Sequence, residues 1–155
     1  PRNQTRLSEK ENDLVPLLNL EKHLVRLILF DKETAEAILL EIAPEEFSDP
    51  ALRTIAQTCR QKIDANEDLR LDQLFDQTED PEIRNILSRL GLEFVEFDTP
   101  ERTVKECVRK FKNIQLKTKI KDLKLQRLNA ANAGQVERSQ ELGAQLNEMY
   151  SALTH

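Results

Sequence analysis

The chain has no tryptophan, one tyrosine, three glycines, two histidines and two cysteines in 155 residues. Each scarcity excludes something. Three scattered glycines leave no glycine-rich loop to cradle a phosphate. His23, His155, Cys59 and Cys107 lack the spacing of a zinc site. Both cysteines fall on the apolar face of a helical pattern, so they are read as small core residues with reduced thiols, which fits the cytosol. No stretch approaches the roughly 18 uncharged apolar residues of a membrane span. The apolar run Val25 to Phe30 is short and carries Arg26 within it. The N-terminus is polar, with no charged-then-apolar leader. It does not begin with Met, and the expectation is a piece excised from a longer protein.

What is present points to helices. Charged residues make up 33% of the chain, apolar residues 39%, and Leu, Glu, Lys and Arg dominate over β-branched runs. Such a composition predicts an all-α protein. The net charge of −5 conceals an asymmetry. Residues 1–100 hold 12 Lys and Arg against 22 Asp and Glu; residues 101–128 hold 10 against 3. An acidic body argues against a nucleic-acid domain. The basic stripe is read as a solvated face that complements acidic partners.

Residues 1–18 are polar without a sustained period and are expected to form a linker. From Leu20 onward, Leu20, Leu24, Leu27 and Ile28 trace one helix face, with Asn19 as a candidate N-cap. Asp31 caps a second helix carrying Ala35, Ile38, Leu39 and Ile42, which Pro44 stops. Asp49-Pro50, Asp80-Pro81 and Thr99-Pro100 share one grammar, a capping oxygen before a proline suited to the first helical turn. The helix after Pro50 is expected to bury Leu52, Ile55, Ala56, Cys59 and Ile63. A short helix follows near 72–77. The helix after Pro81 presents Ile83, Ile86, Leu87 and Leu90 and is expected to end at Gly91 as a left-handed residue. Phe94 and Phe97 are read as plugs of the core.

No proline follows Pro100. The only clear stop signal beyond it is Asn132-Ala133-Gly134. A helix over 100–133 would be about 50 Å long, whereas the return segment of about 20 residues reaches about 30 Å. The hairpin is therefore expected to project. Val104, Cys107, Val108, Phe111 and Ile114 carry a full apolar stripe; beyond Thr118 it thins to Ile120, Leu123 and Leu128. A hinge is expected near Gln115–Thr118. The return helix places Leu142, Leu146, Met149 and Leu153 at steps of four, three and four, the seam of a two-helix hairpin. Gly143 weakens that helix by about 1 kcal/mol relative to Ala. Leu116, Leu125, Val136 and Tyr150 are left over and should stay at least partly exposed. The resulting architecture is a linker over 1–18, a globular helical subdomain over 19–115 and a helical hairpin over 116–155.

Catalytic chemistry finds little to work with. His23 reads as a packing histidine rather than a general base. Glu45-Glu46 and Glu79-Asp80 sit at helix starts, where the dipole favours negative charge. Ser8, Ser48, Ser88, Ser139 and Ser151 have no base in view. No catalytic residue and no metal ligand is assigned.

Three runs carry a resemblance. NLEKHLVRLILFDKETAEAILLEIAPEEFSDPALRTIAQ, residues 19–57, has an acidic residue before a Leu-rich helix, then a second helix, a Pro-Glu-x-Phe turn and a Pro-x-x-Arg helix start. EDPEIRNILSRLGLE, residues 79–93, and the Lys-rich helix followed by a small-residue turn and VERSQELGAQLNEMYSAL complete it. Together they resemble the C-terminal, helicase-binding domain of bacterial DNA primase over residues 19–155. That resemblance implies a helical globule with a terminal hairpin. It implies docking of primase onto the N-terminal collar of the replicative hexameric helicase, the hairpin being the main contact and the globule modulating helicase activity. The parent would be a nucleotidyltransferase, with zinc and magnesium only in its missing upstream domains and no cofactor here. The N-terminal domain of the helicase itself is the competing family. It usually has an aromatic after the Phe of the turn, whereas Ser48-Asp49-Pro50 follows Phe47 here, and a polar segment precedes the domain.

The expected helicase-contacting residues are Leu142, Leu146, Met149, Tyr150 and Leu153, with Ile120, Leu123 and Leu128 opposite. Some of these must be seam rather than interface. A second reading is nucleic-acid binding through Lys117, Lys119, Lys121, Lys124 and Arg127, which would weaken steeply with salt. The expectation is a monomeric, cytoplasmic fragment without membrane contact, with a coiled-coil dimer as the third possibility.

Overall fold

The computed structural model describes the backbone of residues 2–92 and 100–153, and the side chains of 16–91 and 101–153. Among these residues there are seven α-helices, one 3₁₀ turn and no strand. The helices are α1 (Arg2–Phe30), α2 (Lys32–Glu41), α3 (Pro50–Asp64), α4 (Leu71–Gln77), α5 (Pro81–Leu92), α6 (Pro100–Asn132) and α7 (Val136–Ala152), with the 3₁₀ turn at Pro44–Glu46. The chain divides into two compact units, Pro1–Val108 and Arg109–His155. No helix among the described residues is long and apolar enough to cross a membrane.

In the first unit α3 is central: it packs against α1, α2, α5 and the 3₁₀ turn, while α1 also packs on α2 and α4 on α5. The predicted apolar stripes supply most of the core, joined by Val25 and Ala51, which lay outside them, while Leu20 is only half-buried. Leu24, Val25, Leu27 and Ile28 of α1, Ala35 and Ile38 of α2, and Leu52, Ala56 and Cys59 of α3 are wholly buried. Phe47, at the end of the 3₁₀ turn, is wholly buried with them. Two capping predictions are met in atomic detail. The Asp31 carboxylate accepts from the Thr34 amide at 2.6 Å, and that of Asp49 from the Leu52 amide at 3.0 Å. Asp80 accepts from the Glu82 amide at 2.9 Å, and α5 begins at Pro81 as expected. Side-chain oxygens thus take up amides that the first helical turn leaves without intrahelical partners.

Four expectations are corrected. Residues 2–18 are helical, so Asn19 lies inside α1 rather than capping it, and Pro16 is an interior proline. Polar helix formers such as Gln4, Arg6, Glu9 and Lys10 carry propensity without an amphipathic period, and periodicity alone misses them. Gly91 does not end α5 in the left-handed region; it is helical, and a Cβ there would meet Leu71 Cδ2 at 2.7 Å. Its role is to let α5 approach the side chain of Leu71. Ile63 is only half-buried, and Lys62 takes the inward place at 8% exposure. The Lys62 stem lies in the core while its Nζ reaches Glu67 Oε2 at 3.5 Å. Finally, α6 runs unbroken through Gln115–Thr118, where a hinge was expected. The Thr118 hydroxyl donates to the carbonyl of Ile114, the residue one turn earlier, at 2.9 Å.

The end of α3 uses a device the sequence did not announce. Asn66 adopts φ 56°, with its amide on the Ile63 carbonyl at 3.0 Å and the Glu67 amide on the Lys62 carbonyl at 2.8 Å. These two bonds make a Schellman cap with Asn as the left-handed residue. Phe94, Phe97 and Thr99 lie outside the described residues, as does His155.

Candidate interaction surface on the terminal hairpin

The second unit holds the lower part of α6, the turn and α7. Gly134 closes α6 at φ 74°. The Gly134 amide donates to the Ala131 carbonyl at 3.1 Å and the Gln135 amide to the Ala130 carbonyl at 2.9 Å, a second Schellman cap. The predicted stop at Asn132-Ala133-Gly134 is therefore where the chain reverses.

Burial sorts the residues that the sequence could only place in one group. Ile120 at 5%, Leu142 at 1% and Leu146 at 4% exposure are the seam, and Ala130 is buried with them. Leu123, Met149 and Leu153 are half-buried. Leu128 and Tyr150 are exposed, at 57% and 45%. The leftover positions behave as expected: Leu125 is 57% and Val136 65% exposed, and Leu116 is half-buried. Upstream on the same helix, Val104, Cys107 and Phe111 are buried, while Val108 and Ile114 are half-buried.

The five basic candidates, Lys117, Lys119, Lys121, Lys124 and Arg127, are all exposed, but they do not form one stripe. At 3.6 residues per turn, Lys117, Lys121 and Lys124 share a face, whereas Lys119 lies on the opposite side. Two of the five are engaged across the hairpin. Lys124 Nζ stands 5.4 Å from the centre of the Tyr150 ring, a cation–π distance. The Arg127 guanidinium lies over Gly143, where an added Cβ would come within 3.2 Å of its central carbon. The glycine in α7 is thus the seat of an α6 side chain.

Elsewhere the chemistry is structural. The Glu21 carboxylate is wholly buried and accepts from the Ser48 amide at 2.8 Å, the Ser48 hydroxyl at 2.7 Å and the Asp49 amide at 3.1 Å. Ser48, read from sequence as having no base nearby, does face a carboxylate. That carboxylate is saturated by donors, which makes it a holder of the turn before α3. Sequence reasoning missed Glu21 because a single acid inside a helical stripe gives no signal of its partner. Cys59 is buried and unpaired by any disulfide, and burial pushes its thiol up to about 12, with Lys62 pulling slightly the other way. An open cleft of about 570 Å³ beside α4 is lined by Lys62, Asn66, Glu67, Asp68, Gln73, Asp76 and Gln77. It lacks the apolar walls typical of small-molecule sites. Among the described residues no group of three or more His, Cys, Asp or Glu side chains is placed to hold a metal ion.

The surface that remains is the apolar and cationic exterior of α6 and α7. Compared with known proteins, the chain matches no family profile and no curated sequence.

Proposed function

We propose that this chain is a non-catalytic interaction module of a cytoplasmic bacterial DNA primase, docking it through the α6–α7 hairpin onto the N-terminal domains of the hexameric replicative helicase. The observation that carries the reading is the distribution of exposed apolar side chains. Six large ones are exposed among the described residues; Leu125, Leu128, Val136 and Tyr150 lie in the second unit, which is less than a third of the chain. They remain outside after Ile120, Leu142 and Leu146 have closed the seam. Such a concentration of exposed apolar side chains in so short a unit supports reading it as an interaction surface. The resemblance of residues 19–155 to the helicase-binding domain supplies the partner. In this reading the polymerase activity, with its zinc and magnesium, belongs to upstream parts of the parent.

The nucleic-acid reading loses support because the five cations face different sides of α6 and two of them are engaged within the hairpin. The test is calorimetric titration of helicase N-terminal domains with the full chain, followed by lysine crosslinking. Binding with crosslinks at Lys117, Lys119, Lys121 or Lys124 is expected. No binding, or crosslinks confined to Lys22, Lys32 and Lys62 in the first unit, would reject the assignment.

A further inference from the structure

Lys110, Ile114, Lys117, Lys121, Leu125 and Leu128 are spaced four, three, four, four and three along α6, which on an α-helix is one line of side chains. Ile114 is half-buried and the other five are exposed. The line is apolar near the turn, where Leu125 and Leu128 each expose 57%, and cationic farther up. From Arg109 to Asn132 the helix carries eight cations and a single carboxylate, Asp122. Asp122 lies off this line and accepts from Gln126 Nε2 at 2.9 Å. The buried Ile120 and Ala130 and the half-buried Leu123 occupy a different side of the helix, so closing the hairpin leaves the line uncovered.

We infer that this line is the docking surface itself, and that it seats a helicase surface presenting carboxylates beside an apolar recess. The inference rests on the helicase-docking reading and adds to it the face used and the charge of the partner. Leu125 and Leu128 enter the recess as anchors, and Lys110, Lys117 and Lys121 meet the carboxylates. The line is about 27 Å long, the reach of one partner helix. Charge complementarity selects the occupant. A nucleic-acid backbone gains nothing from two leucines. An anionic membrane surface needs a broader apolar face than one line offers.

The experiment measures association and dissociation of the full chain with helicase N-terminal domains as salt is raised, for wild type, L125Q/L128Q and K110E/K117E. Gln and Glu are good helix formers, and circular dichroism verifies that α6 persists. L125Q/L128Q is expected to weaken binding by about tenfold or more, chiefly through faster dissociation. K110E/K117E is expected to slow association by about tenfold at low salt, the difference closing near ~1 M, where the screening length is about 3 Å. Wild-type binding matched by both variants leaves helicase docking in place and overturns this surface. Absence of wild-type binding overturns both. Vesicles of anionic phospholipid or single-stranded DNA serve as controls. If the variants lose binding to either of those while retaining the helicase, the line belongs to that ligand and the inference fails.

Discussion

Glu21 and Ser48 are 27 residues apart in sequence and joined by both the amide and the hydroxyl of the serine, at 2.8 and 2.7 Å, on one wholly buried carboxylate. The pair ties α1 to the turn that launches α3, the central helix of the first unit. Glu21→Ala should cost about 3 kcal/mol, because it strands the amides of Ser48 and Asp49. Ser48→Ala should cost about 1 kcal/mol, since only the hydroxyl is lost. Urea unfolding of the two variants distinguishes these outcomes, and equal small effects would remove the latch from the account of stability.

Gly134 and Gly143 should respond oppositely to alanine. Gly134 sits at φ 74° with open space around its Cβ position, so Gly134→Ala costs about 1 kcal/mol from backbone strain alone. Gly143 is helical, and the group nearest its Cβ position is the flexible end of Arg127. Gly143→Ala should therefore stabilise the hairpin by about 0.5–1 kcal/mol once Arg127 shifts. Thermal unfolding of the two variants gives the signs directly.

Leu146 and Leu128 belong to different surfaces of one hairpin. Leu146→Ala removes a seam side chain at 4% exposure and should cost about 2–4 kcal/mol. Leu128→Ala, at 57% exposure, should stay within about 0.5 kcal/mol in the free protein. Denaturant titration of the two would show whether burial has sorted seam from surface.

Cys59 makes a pH prediction. Its thiol is raised from 9.0 to about 12 by burial, so the folded state holds this proton more tightly than the unfolded state. That contribution to stability is complete below the unfolded value and declines as pH rises above it, by about 1.4 kcal/mol per pH unit until the folded value is reached. The stability gap between wild type and Cys59→Ala should therefore narrow above pH 9. At neutral pH, alkylation of Cys59 should require unfolding. Rapid native-state alkylation of Cys59 would contradict its burial.

Much of the fold is legible locally. Asp31, Asp49-Pro50 and Asp80-Pro81 announce helix starts because an N-cap needs only one oxygen and the next few amides, all close in sequence. Gly134 announces the hairpin turn for the same reason. Periodicity named nearly every core residue of α1 to α3. It failed at Asn19, where polar helix formers extend α1 upstream, and at Gly91, whose smallness serves Leu71 of another helix. At Lys62 and Ile63 the turn that follows decides the register, because Glu67 holds the ammonium and lets its stem go inward.

The candidate surface was only half legible. The sequence by itself determined that α6 and α7 pair, that Leu142 and Leu146 repeat at a seam spacing, and that apolar residues are left over. These depend on composition and on a helical period intrinsic to the backbone. Only tertiary structure decided which residues are seam and which are surface, placed Lys124 over Tyr150 and Arg127 over Gly143, and buried Glu21 against Ser48. The physical reason is that burial and pairing are properties of two chain segments at once. A helix carries its own period in its sequence, but the face that meets a neighbour is set when the neighbour arrives.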